Sequence, residues 1–185
     1  MSTELAQNQT SRTEIRRFKQ LLAQYRARVH ETNYRTFFQP ELATKQLVET
    51  RREKPTILVI EDNIDEWLLI RYGLLRQFAE VECRWLANAT ELTFELEQYA
   101  QLETELPRFV LLDLYLPNTQ TGFQVLQALK AHPLFQSIPA IVFSHSAEPA
   151  NIAQAFAYSA SAYLIKPTDA REWLSVFAEL EPYWH

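Results

Sequence analysis

Four short apolar runs in the later part of the chain each end on residues able to do polar chemistry. Glu61 and Asp62 follow Ile57-Leu58-Val59-Ile60, and Asp113 follows Phe109-Val110-Leu111-Leu112. Ser144 closes Ala140-Ile141-Val142-Phe143, and Lys166-Pro167 closes Tyr163-Leu164-Ile165. Laid side by side, these runs would bring their ends to one rim. Three carboxylates at close quarters repel each other and shift one another's pKa unless a cation sits between them. A hard divalent ion such as Mg²⁺ meets that need, taking oxygens from one or two carboxylates, a backbone carbonyl and water. A lysine and a hydroxyl beside it complete a place for an anionic group. The chemistry this points to is phosphoryl transfer onto a carboxylate nucleophile. Each residue alone is ordinary, since acid pairs and serines are common where strands run into loops. The weight lies in all of them falling at the ends of successive runs.

The elements that must position them read as a βα alternation. Strands are expected over 56–61, 81–86, 109–113, 140–144 and 162–166. Three of these are continuously apolar, as in strands buried on both faces of a parallel sheet. Helical patterns fill the gaps. Asn63-Ile64-Asp65-Glu66 has the form of a capping box, with a helix over 67–78 behind it. Further helices are expected over 90–101, 122–131, 151–158 and 169–180, the last with Asp169 as N-cap. Five strands alternating with five helices imply a doubly wound α/β sheet with right-handed crossovers. In such sheets ligands sit outside the carboxyl ends of the strands, at the point where the strand order reverses.

Val59-Ile60-Glu61-Asp62-Asn63, Leu111-Leu112-Asp113-Leu114-Tyr115-Leu116-Pro117, Ser144 and Tyr163-Leu164-Ile165-Lys166-Pro167 together resemble the receiver domains of two-component response regulators. The resemblance spans residues 55–185, and the step of 22 residues from Ser144 to Lys166 is similar to the family's spacing. It implies a flavodoxin-like, five-stranded parallel sheet of order 2-1-3-4-5. It also implies roles. Asp113 is the phospho-acceptor. Asp62 binds Mg²⁺ directly together with Asp113, Glu61 does so through water, and the backbone carbonyl of Tyr115 supplies a further ligand. Lys166 pairs with a phosphoryl oxygen, and its bond to Pro167 is cis. Ser144 bonds another phosphoryl oxygen after transfer, and Tyr163 is the aromatic switch that moves inward with it. The function implied is that of a phosphorelay signalling protein, phosphorylated by a histidine kinase or phosphotransfer protein, which assists its own phosphorylation and dephosphorylation without being an enzyme.

The sequence departs from the family pattern in places. Gly122 stands nine residues after Asp113, one more than expected, so the loop between them is expected to be remodelled. Ser159 stands where a helix-ending glycine is usual, and a left-handed cap without glycine costs energy. His145 occupies a position that prefers a small residue. It restricts the pocket, contributes a hydrogen bond or points to solvent, and the last is the expectation. Tyr115 and Ser146 lie where the family tunes the lifetime of the phosphoryl group. These departures keep a second reading in view, a receiver-like interaction module that is not phosphorylated. Other classes fall away. A haloacid-dehalogenase-like phosphatase wants a second Asp two residues after the first, where this chain has Tyr115. A dinucleotide site needs a glycine-rich loop after the first strand, and the chain has only Gly73 and Gly122. The four histidines have no metal-ligand spacing.

The charge divides the chain. Residues 1–54 carry 11 Lys/Arg against 6 Asp/Glu, and residues 55–185 carry 7 against 17. The first segment is read as a basic helical extension and linker, the second as the receiver. In the extension Ile15, Phe18, Leu22, Tyr25 and Val29 form one apolar seam at helical spacing, suited to a homodimer. A kinase or a downstream protein is the other partner expected. No nucleic-acid motif accompanies the basic residues. The single cysteine, Cys83, excludes an internal disulfide and fits a reducing compartment. With no signal peptide and no membrane-spanning run, the expectation is a cytoplasmic protein. The sequence runs only to His185 past the fifth helix, so output is expected through contacts and not through a C-terminal output domain.

Overall fold

A computed structural model describes residues 54–102, 105–169 and 172–184. Strands β1 (Thr56–Ile60), β2 (Glu82–Leu86), β3 (Phe109–Leu112), β4 (Ala140–Ser144) and β5 (Ala162–Ile165) form one parallel sheet of order β2-β1-β3-β4-β5. Helices α1 (Ile64–Gln77), α2 (Ala89–Leu102), α3 (Thr119–Ala131) and α4 (Pro149–Ala157) connect them. A short α5 (Trp173–Val176) runs into a 3₁₀ stretch, Phe177–Tyr183. The doubly wound sheet and its order are those expected. The extension 1–54, with its seam and basic residues, lies outside the described residues apart from Lys54.

Burial explains the apolar runs. Ile57, Leu58, Val59 and Ile60 are all buried, as is the whole of β3, because both faces of the sheet centre are covered. The edge strands β2 and β5 keep partly exposed side chains. Leu58, Ile60, Val110, Leu112 and Val142 pack with Leu92, Leu96 and Leu126 into one cluster beneath α2 and α3. On the opposite face Phe143 meets Trp173 and Phe177 at ring distances of 5.4 and 5.9 Å. Gly73 of α1 lies against Phe177 so closely that a Cβ there would stand 2.1 Å from the ring.

Three strands end one residue sooner than the apolar pattern suggests. Glu61, Asp113 and Lys166 fall just beyond the ladder, yet their N–H groups still bond across it: to Leu86 O at 3.0 Å, Ile60 O at 2.9 Å and Ser144 O at 2.8 Å. Their backbones are held by the sheet while their side chains are released from its pleat. The helix starts follow from caps. Asn63 accepts from Asp65 N and opens α1 earlier than expected; Asn118 accepts from Thr121 N at 3.0 Å and opens α3 three residues before Gly122. Gly122 then sits so close to the β3–α3 loop that a Cβ would stand 2.1 Å from Leu114 O. The last helix differs most. Glu172 occupies the N-cap position of α5, and the α-helical part ends at Val176. Pro182 has no N–H to donate to an earlier carbonyl, and the segment around it winds as 3₁₀.

At the end of α4 the chain turns back through a left-handed residue, Ser159, at φ 66°. Ser159 N bonds Phe156 O at 2.9 Å and Ala160 N bonds Ala155 O at 3.0 Å, the paired closure of a Schellman motif. The absence of glycine there is therefore a real departure, as expected. The cis peptide bond among the described residues is Leu116–Pro117 and not Lys166–Pro167, which corrects the expectation. Both are X–Pro bonds, the kind that tolerates the cis form.

Candidate functional site

The strand ends do converge. β1 and β3 are neighbours at the centre of the sheet, where the connection reverses direction, and Glu61, Asp62 and Asp113 stand at their carboxyl ends. One carboxylate oxygen from each of the three lies within 4.8 Å of the others. Glu61 is 1% exposed and Asp113 7%, while Asp62 faces solvent. Asp113 Oδ1 is buried and accepts no hydrogen bond among the described residues. A buried anionic oxygen without a donor is costly. That oxygen, inside a cluster of three acids, fits a divalent cation.

Lys166 enters from the end of β5, 2% exposed. Its Nζ lies 2.7 Å from Glu61 Oε2, 3.0 Å from Asp113 Oδ2 and 2.5 Å from Glu66 Oε2. Burial alone would lower the lysine's pKa; the charges of Glu61 and Asp113 and the bonds to Glu61 and Glu66 outweigh it, so the ammonium is held above its ordinary value. Glu61 responds the other way. Burial, reinforced by Asp113, pushes its carboxyl up to about 7 against the pull of Lys166. Burial and Asp113 also raise Asp62. Local acid charge thus exceeds what one lysine balances.

Ser144 is fully buried, its Oγ accepting from Ser146 N at 3.3 Å. Tyr163 is half-buried and donates from its hydroxyl to Ser146 O at 2.9 Å. The two residues expected to move together are therefore already joined through Ser146, which also receives Asn151 Nδ2 on its Oγ at 2.8 Å. Tyr115 is exposed in the loop two residues beyond Asp113. His145 does not simply point to solvent. Its side chain is half exposed, but Nε2 lies 3.3 Å from Glu66 Oε1.

Two participants lie outside the residues expected there. Glu66 stands in the sequence as the return half of a capping box. Its carboxylate does take Asn63 Nδ2 at 3.3 Å, but the backbone N–H of Asn63 goes to Glu61 Oε1 at 3.1 Å. Freed from that duty, Glu66 reaches Lys166 and His145. The signal was present: a helical side chain points back toward its N-terminus, and α1 begins three residues after Glu61. Trp85 is the other. Its indole Nε1 donates to Glu61 O at 2.6 Å, and its ring stacks on Trp67 at 5.8 Å and 8°. Nothing in the sequence marks it, because the contact crosses from the edge strand β2.

Comparison with known proteins agrees with this geometry. The family model described as the response regulator receiver domain matches residues 57–178. The chain is 30% identical over 128 residues to the probable methanogenesis regulatory protein FilR2 of Methanothrix harundinacea (strain 6Ac), covering 69% of this chain and 82% of that protein. It is 28% identical over 135 residues to protein RcaC of Microchaete diplosiphon, covering 72% of this chain but only 20% of that larger protein. Among solved structures, the phosphorylated cyanobacterial phytochrome response regulator RcpA superposes with a TM-score of 0.63 at 26% identity, over 71% of this chain and 94% of that one. The Mn²⁺-bound form of response regulator Rcp1 shares the fold, with a TM-score of 0.61 at 24% identity, over 70% and 94%.

Proposed function

The chain belongs to the response regulator receiver domain family, and on that footing we propose that it accepts a phosphoryl group on Asp113 from a histidine kinase or phosphotransfer protein. The signal then passes on through protein–protein contacts. The observation that carries this reading is the state of Asp113: one oxygen on Lys166, the other buried and unbonded beside Asp62 and Glu61. That is a carboxylate held in position at the acidic cluster, with one oxygen to attack and the other to hold the cation. Its attack on phosphorus forms the new O–P bond of an acyl phosphate. The bond to the donor nitrogen breaks, and its electron pair returns to the donor imidazole.

The roles follow the chemistry of each group. Lys166 pairs with a phosphoryl oxygen, and the Ser144 hydroxyl donates to another. Mg²⁺ held by Asp62, Asp113, the Tyr115 carbonyl and, through water, Glu61 would neutralise charge building on the phosphoryl oxygens. Tyr163 communicates the change, since its hydroxyl is tied to the Ser144–Ser146 loop. The similar regulator RcpA is known in a phosphorylated form, which supports the reading. No helix among the described residues is long and apolar enough to cross a membrane.

The test is intact-mass spectrometry after incubation with Mg²⁺ and acetyl phosphate. The protein should gain one phosphoryl group, and Asp113→Asn should abolish the gain, because an amide is not a nucleophile here. Equal labelling of the variant overturns the assignment of Asp113. A second reading, an adaptor that is never phosphorylated, draws on Lys166 being in contact with three carboxylates. Wild-type protein that stays unlabelled would favour it.

A further inference from the structure

We propose that Glu66 is a positioning residue that occupies, in the resting protein, the place on Lys166 that a phosphoryl oxygen must take. The inference rests on the reading of Asp113 as phospho-acceptor and adds a control on it. A lysine ammonium has three N–H donors and no more. Here two carboxylates accept hydrogen bonds from it, Glu61 at 2.7 Å and Glu66 at 2.5 Å, and a third, Asp113, stands in ion-pair contact at 3.0 Å. An arriving anion therefore meets an ammonium already surrounded by three carboxylates and competes with them for it.

The three differ in how readily they leave. Glu61 is fixed, with its other carboxylate oxygen on Asn63 N and its backbone carbonyl on Trp85. Asp113 carries the reacting oxygen and stays within the site throughout. Glu66 projects from α1, its side chain 19% exposed, and its second oxygen is already shared by two surface groups, Asn63 Nδ2 and His145 Nε2 at 3.3 Å each. It can let go of Lys166 and remain bonded. Burial opposes its charge, but the bond and charge of Lys166, with His145 behind, keep it ionised below the ordinary range. Glu66 thus acts as a tethered anion competing with the incoming one, and its pairing with His145 draws the rim together on the side of α1.

The consequence is opposite in sign to that of ordinary structural damage: removing the contact should tighten anion binding. The probe is beryllofluoride, a tetrahedral stand-in for a phosphoryl group on a carboxylate, titrated into the full-length protein at saturating Mg²⁺ and followed by ¹⁹F NMR. Glu66→Gln should bind it on the order of fivefold more tightly, as expected when one charge-assisted bond no longer has to be displaced. Glu66→Asp keeps the charge but withdraws it by one methylene, so it should follow Glu66→Gln. If Glu66→Gln binds no more tightly than wild type, the inference is overturned. It is equally overturned if Glu66→Asp matches wild type while Glu66→Gln gains, since the effect would then be one of net charge. If wild-type protein itself binds no beryllofluoride, the phospho-acceptor reading fails and takes the inference with it. Thermal unfolding of each variant checks that it remains folded.

Discussion

Asp62 is the exposed member of the carboxylate cluster, so replacing it removes a carboxylate without opening the core. Asp62→Asn should weaken Mg²⁺ binding about tenfold or more and slow labelling of Asp113 in step. The Trp67–Trp85 stack can report it, because Trp85 is bonded to the backbone of Glu61 one residue away. A Trp fluorescence titration with an unchanged midpoint in the variant would count against the site. The same titration carries a pH dependence. Glu61, raised to about 7 by burial, is protonated below that pH, and a cation competes with its proton. Mg²⁺ affinity should therefore climb as pH rises through about 7 and level off above it, a slope that Glu61→Gln should flatten. Most of these residues are legible in the sequence because each ends an apolar run, and a strand end fixes where its side chain goes. Glu66 and Trp85 are not, since their contacts depend on distances between a helix or an edge strand and the strand ends, which no local pattern records.

The elements carry the same lesson in the backbone. β1, β3 and β4 are buried on both faces, so composition alone marks them, and their bounds differ from expectation by at most a residue. The C-terminal helix shows the opposite case. Its apolar residues Trp173 and Phe177 are buried as an amphipathic pattern requires, yet whether the backbone winds as α or 3₁₀ is a matter of local bonding that the pattern does not address. Ser159 offers a direct measure of what an element gives up for its sequence. It closes α4 in the left-handed region at φ 66°, where a side chain costs about 1–2 kcal/mol. Part of the gain on removing that side chain is lost to the greater freedom of glycine in the unfolded chain. Ser159→Gly should accordingly stabilise the protein by roughly 0.5–1 kcal/mol. Chemical denaturation with an unchanged slope and a higher midpoint is the expected result; a lower midpoint would show that the Ser159 side chain contributes something the cap geometry does not include.

For the molecule as a whole, the core closes within the described residues. The sheet has helices on both faces, its central strands are buried, and among the described residues the acidic rim is built from the ends of β1, β3 and β5 and the start of α1. The basic segment 1–54 carries in its sequence the seam Ile15, Phe18, Leu22, Tyr25 and Val29, a stripe too apolar for an isolated helix in water, where helices of such length are marginal in any case. The seam needs a partner, and its spacing of three and four suits a second helix of the same kind, which makes a homodimer through the extension our proposal. Removing residues 1–54 should leave a domain that unfolds cooperatively and is labelled by acetyl phosphate at a rate within about twofold of the full chain, since the charged groups gathered at the acidic rim lie between Glu61 and Lys166. Its association state should fall from dimer to monomer. Light scattering on both proteins at matched concentration decides the matter: two monomers would refute the dimer and leave the seam to the receiver or to a different partner.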